Sequence, residues 1–151
     1  MNFWRINKLK EELINQTISQ SNLFLYYFMT GIFFSLMIIP NFNYYEDYQN
    51  ISSHWIDWTS TTLVYLLGLY FSFKANKGNA GKHFIDRVAS LEVVLGIRYL
   101  FFLYLPLTVI WSIFFEGGIY SDFVQLINNI IFETVIMLRV IFCIKEIAIQ
   151  K

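Results

Sequence analysis

Three ionisable residues lie inside long apolar runs. Arg98 falls in the run 93–115, and Glu133 and Arg139 fall in 123–144. A charged side chain in hydrocarbon is costly unless it is paired, protonated or wetted, so each of the three marks a place for chemistry. Read as bilayer-crossing helices, the runs put Glu133 at the middle of its span. Arg139 lies six residues, about 9 Å, nearer the inner face. Arg98 lies about 9 Å on the inner side of its own span's midpoint, which is near Tyr104. The expectation is an ion pair between Glu133 and Arg98 that sets the register of two helices. The alternatives are a polar stripe lining an oligomeric pore, and a protonatable Glu133 in a small transporter. Inward snorkelling of both arginines would weaken all three.

Amides extend the polar pattern. Gln125, Asn129 and Glu133 fall within about 80° of one another around a helix. Asn128, Arg139 and Glu146 form a second stripe, about 120–140° from Glu133. A helix polar on two sides keeps both from lipid, so this run should be central. One stripe would face its own bundle, the other a second copy of the chain or an aqueous path.

Lys74, Lys77, Lys82 and Arg87 make the connection between the second and third runs the most basic segment. They are expected to anchor against anionic lipid, with a cytosolic partner as the other candidate contact. The stretch Gly78, Asn79, Ala80, Gly81, Lys82 is not a phosphate loop. That motif needs a glycine and a hydroxyl where Asn76 and His83 stand, and it follows a strand. Asp57, ahead of Thr59, Ser60, Thr61 and Thr62, is expected to cap its helix. His54 and His83 fall on opposite sides of the membrane and cannot share a metal, and no His-Glu-x-x-His spacing occurs. The single Cys143 excludes an intrachain disulfide and a cysteine zinc site, and reads as an inert core thiol rather than an acylation site. No catalytic constellation, metal site or cofactor is expected.

The elements that must position these residues follow from composition. Of 151 residues, 56% are hydrophobic, 20% aromatic and 15% charged, with mean hydropathy +0.48. Soluble domains run nearer ~45–50% apolar and ~25% charged. A globule of this length cannot hide so many Phe, Tyr, Ile and Leu, which argues against a soluble enzyme. Eleven basic and eleven acidic residues cancel, so no global field attracts nucleic acid.

A spanning helix needs about 20 apolar residues. The expected fold is therefore all-α: four transmembrane helices at about 23–42, 55–73, 93–115 and 123–144, forming a domain over 23–144. Residues 1–22 form a cytoplasmic amphipathic segment and 145–151 a cytoplasmic tail. Arg5, Lys8, Lys10, Lys74, Lys77, Lys82, Arg87, Lys145 and Lys151 all fall on one side, while 43–54 and 116–122 hold no Lys or Arg. By the positive-inside rule both termini are cytoplasmic. Trp55, Trp58, Trp111, Tyr44, Tyr45, Tyr48 and Tyr120 gather at the outer interface, where amphipathic rings prefer to sit. The first run is too long for a signal-peptide core and is expected to be kept.

Phe3, Ile6, Leu9, Leu13 and Ile14 share one broad helical face. That helix packs on its own bundle, lies on the inner leaflet or docks a partner. Residues 19–22 read as a polar hinge. Gly31 with Ser35, and Gly68 with Ser72, are small residues one turn apart that allow close helix approach, within the bundle before between copies. Pro106 should disturb its helix one turn earlier. Asn50, Ile51 and Ser52 form an outer glycosylation sequon, relevant only in a eukaryotic secretory pathway. The richness in Ile, Phe, Asn, Tyr and Lys leans towards an AT-rich genome and a bacterial inner membrane.

The functional expectation is a small non-enzymatic membrane subunit. It self-associates as a homo-oligomer, couples to a cytosolic protein and alters permeability in stress, defence or immunity. A channel or proton-linked transporter using Glu133 is the alternative. A lipid-modifying enzyme is disfavoured, because no inner-surface cluster of His, Asp or Ser stands out.

Overall fold

The computed structural model describes residues 5–38, 51–114 and 119–150, and these are helical apart from short connections. The segments 39–50 and 115–118, with much of the expected outer connections and Asn50 of the sequon, lie outside the described residues, as does Phe3.

Helix α1 spans Ile6–Asn15 and ends at Gln16, whose left-handed backbone (φ 57°) returns its N–H to the carbonyl of Glu12. Leu9 and Leu13, one turn apart, are buried. They join Val140, Cys143, Ile144 and Ile147 of α6 in one core, and Lys10 pairs with Glu146 beside them. The amphipathic N-terminal helix thus packs on its own bundle.

Helix α2 spans Gln20–Ile38. Ser19 caps it, its hydroxyl accepting the Asn22 N–H at 3.3 Å. The expected hinge at 19–22 is therefore the start of the helix, and the connection is 16–19. Helix α3 spans Ile51–Ala75. It starts earlier than the apolar run, so Asp57 stands inside the helix and does not cap it.

Helix α4 spans Phe84–Tyr99 and runs through a π turn, Leu100–Tyr104, into α5, Leu105–Phe114. The expected disturbance at Pro106 takes this form. Proline has no N–H to give to the preceding turn, and the Leu105 N–H reaches the carbonyl of Leu100, five residues back. Helix α6 spans Ile119–Ile149, 31 residues.

Contacts between the helices set their directions. Tyr27 bonds Asp86 near the start of both α2 and α4, at 2.6 Å, and Thr30 meets the same cavity as Val93 further along. These two helices run parallel. Helices α3 and α6 also run parallel, since Asp57 meets Asn129 and Gly68 meets Met137. Helix α4 is antiparallel to α6, with Tyr104 at the level of Asn129. Helix α6 is central, packing on α1, α3, α4 and α5. Gly68 lets α3 and α6 close: a Cβ there would stand 2.5 Å from Met137 Cγ. Ser72, one turn on, is fully buried. At Gly31, by contrast, a Cβ would meet nothing within 4 Å among the described residues.

Two helical stretches, Phe84–Trp111 and Leu126–Ile149, are long and apolar enough to cross a membrane. They carry the third and fourth expected spans. Among the described residues, α2 and α3 do not reach that mark; α2 passes into undescribed residues, and α3 mixes Thr, Ser and Asp57 into its first half. Every long helix nonetheless displays large exposed apolar side chains, among them Phe28, Leu63, Phe102, Ile113 and Phe142. Exposed apolar surface of that extent marks contact with a membrane or with other protein.

Candidate functional site

Asn129 joins three elements. Its Nδ2 donates to the Asp57 carboxylate, 3.1 Å from Oδ2 and 3.4 Å from Oδ1, and its Oδ1 accepts the Tyr104 hydroxyl at 3.2 Å. A carboxylate offers only acceptors when ionised, which orients the amide. Interhelical bonds of this kind contribute about 0.6 kcal/mol each in membrane proteins, up to roughly 1.7. The network ties α3, the π turn and α6 together. It gives Asp57 a cross-helix role in place of the expected cap.

One turn along α6, Glu133 lies about 40° round the helix from Asn129 and about 6 Å further along its axis. It lines a cavity of ≈ 400 Å³ enclosed by α2, α3, α4 and α6. Glu92 of α4 lines the same cavity. The Tyr65 hydroxyl donates to Glu92, and the other Glu92 oxygen, Oε1, is buried without a hydrogen-bond partner among the described residues. The charges of Glu92 and Glu133 act on one another across the cavity. Two carboxylates in one low-dielectric space repel when both are ionised, so the arrangement favours a proton or a cation between them.

The expected Glu133–Arg98 pair does not form among the described residues, where Lys10 pairs with Glu146 and His83 with Asp86. The reason is helical phase. Glu92 and Gly96, four residues apart, both face the cavity. Arg98 is two residues beyond Gly96, about 200° round the helix and so on its far side.

On the second stripe of α6, Asn128 is buried with its Oδ1 unpartnered among the described residues, and Arg139 is exposed. Glu146 is taken by α1. The Gln125 side chain lies outside the described residues. The first stripe, where Asn129 and Glu133 are described, faces α3 and α4 of its own chain.

The basic connection divides. Lys74, Lys77 and Lys82 are exposed, with Lys74 Nζ 4.6 Å from the Tyr70 ring centre. Arg87 is 3% exposed and donates from Nη1 to the Asn76 side chain. Asn76, itself fully buried, reaches the Lys82 carbonyl at 3.5 Å. Gly81 is needed there, because any Cβ would collide with the Asn76 backbone. Arg87 thus organises the turn from inside, which corrects its expected place as a lipid or partner contact. The turn Gly78–Ala80 is a short 3-10 helix following α3.

Glu92 and Tyr65 are the residues that sequence reasoning missed. Glu92 had a signal: a lone acid inside the run Leu91 to Leu95. A span boundary drawn at 93 set it just outside. Nothing in the local sequence distinguishes Tyr65 from the other tyrosines. Among the described residues no grouping of three or more His, Cys, Asp or Glu is arranged to hold a metal ion. Cys143 is buried in the core. Comparison with known protein families, with curated proteins and with solved structures finds no match.

Proposed function

We propose that this chain is a non-enzymatic, four-span protein of a bacterial inner membrane, with both termini cytoplasmic, and that it is a small proton-linked transporter working through Glu133. One observation carries the reading. Glu92 and Glu133 share a cavity between the helices, and among the described residues no basic side chain is paired with either. A polar line continues from it: Tyr65 beside Glu92, then Glu133, then Asn129 with Asp57 and Tyr104. Taking Asp57 to Tyr65 as eight helical residues, this line extends over about 12 Å of α3. Carboxylates inside a membrane are what proton relays use.

The four-span topology is supported by the one-sided Lys and Arg distribution and by the alternating helix directions. A self-associating subunit that couples to a cytosolic protein is the second reading. It is favoured by the exposed Lys74, Lys77 and Lys82 around a short 3-10 turn. An oligomeric pore lined by the Glu133 stripe is less favoured, since that stripe faces α3 and α4 of the same chain.

The test is proton movement into liposomes containing the purified chain, followed with an enclosed pH-sensitive dye. Wild type should dissipate an imposed pH gradient. Glu133→Gln should abolish this while the reconstituted amount stays equal. Equal rates in protein-free and wild-type liposomes would remove the transport reading.

A further inference from the structure

We propose that the cavity between α2, α3, α4 and α6 binds a lipophilic organic cation, with Glu133 and Glu92 matching its charge and aromatic walls its body. This rests on the transport reading above and names the class of substrate for the same site.

Size and lining point the same way. A volume of ≈ 400 Å³ falls in the range of small-molecule pockets, about 300–1,000 Å³. Its walls include the rings of Trp58, Tyr65 and Phe132 and, among the described residues, no Lys or Arg. Ring faces attract a cation held against them, and more so away from water. The charged groups on the wall are carboxylates, so an anion of equal size meets repulsion.

A bare metal ion suits the cavity poorly. Hard cations take six or more oxygen ligands at short range. The remaining wall is mostly aliphatic and aromatic, and no metal-holding group of three or more ligands exists among the described residues. A cation whose charge is spread within hydrocarbon or aryl groups needs no such shell. It takes apolar contact over its body and one or two carboxylates at a distance.

Gly96 keeps the space open. It lines the cavity, and a Cβ added there meets nothing within 4 Å. The cavity lies between the pair α2–α4 and the pair α3–α6, and Trp58 on its wall, at the expected outer interface, is 54% exposed. A ligand enters beside Trp58 without crossing the core near α1.

The experiment measures equilibrium binding of radiolabelled tetraphenylphosphonium to the full chain in detergent, with tetraphenylborate as a probe of the same shape and opposite charge. We expect saturable phosphonium binding at about one per chain, and none for the borate. Glu133→Gln and Gly96→Leu should each weaken phosphonium binding at least tenfold, the first by removing charge and the second by filling the space. Gly96→Leu also replaces glycine by a strong helix former, so it remains informative where Glu133→Gln fails to assemble. Equal binding of both probes, or wild-type binding in Gly96→Leu, overturns the cation site. The same preparation is assayed for proton movement in liposomes. Movement without phosphonium binding overturns the cation site and leaves the transport reading; binding without movement supports the cation site and removes transport.

Discussion

Replacing Gly68 by alanine should weaken the α3–α6 contact although alanine is the better helix former. The added Cβ would stand 2.5 Å from Met137 Cγ, 2.6 Å from Sδ and 2.8 Å from Cβ. Carbon atoms in good contact sit about 3.5–4.0 Å apart, so about 1 Å must be found. Met137 can turn its Cγ and Sδ aside, but its Cβ moves only with the α6 backbone. Overpacking of this kind costs about 1–3 kcal/mol. Losing glycine's backbone freedom returns about 1 kcal/mol. The net is a loss of about 1 kcal/mol, roughly fivefold in the folded-to-unfolded ratio. The assay is reversible unfolding of the purified chain in mixed micelles with increasing dodecyl sulfate, followed by circular dichroism. Met137→Ala alone should destabilise, since Met137 is buried at 4% exposure. The double substitution should be milder than the sum, because the alanine Cβ at 68 then meets only one of its three obstructing atoms. A Gly68→Ala chain more stable than wild type, with a cycle additive within about 0.5 kcal/mol, would refute the close approach.

Other outcomes follow from the same geometry. Glu133→Gln and Arg98→Gln should have additive effects on folded yield, because the two side chains lie on different faces; rescue of one by the other, read as yield of the double variant, would restore the pair. Arg87→Gln alone should lower the yield of folded chain, since it strips Asn76 of a buried donor, a loss of about 1.5–3 kcal/mol for a bond to a charged group. Single changes at Lys77 or Lys82 should leave yield within twofold, each being worth about 1 kcal/mol at most near an anionic leaflet. Reporter fusions at either end and at 77–82 should read cytoplasm, and one within 43–50 should read outside. A C-terminal fusion reading outside would require an odd number of spans.

How much was legible can be judged from particular residues. The apolar runs over 93–115 and 123–144 overlap the stretches Phe84–Trp111 and Leu126–Ile149 over 93–111 and 126–144. Leu9 and Leu13 were recognisable as one face of α1, and their burial follows. Pro106 signalled a backbone irregularity, because a missing N–H is a local chemical fact; its form, a π turn over Leu100–Tyr104, is read from the structure. Gly68 and Ser72 were visible as small residues, yet Gly31 and Ser35 had the same spacing, and only Gly68 meets a partner helix closely. Spacing states that an approach is allowed, while the packing determines whether it occurs.

The candidate site divides along the same line. Composition, hydropathy and the placement of Lys and Arg follow from residue type alone, because the transfer cost of a side chain between water and hydrocarbon needs no knowledge of its neighbours. So the all-helical character and the presence of stretches apolar enough to cross a membrane were read from the chain. Which groups face Glu133 is a different kind of fact. Depth along the membrane was the guide that selected Arg98, but depth fixes only one of the coordinates of a side chain. The rotation of α4 turns Glu92 and Gly96 inward and Arg98 away. That rotation is set by long-range packing on α2 and α6, where no local pattern records it. Asp57, Asn129 and Tyr104 stand far apart in sequence and meet only because α3, α6 and the π turn do. The tertiary structure alone decided that a second carboxylate, and not a guanidinium, shares the cavity with Glu133.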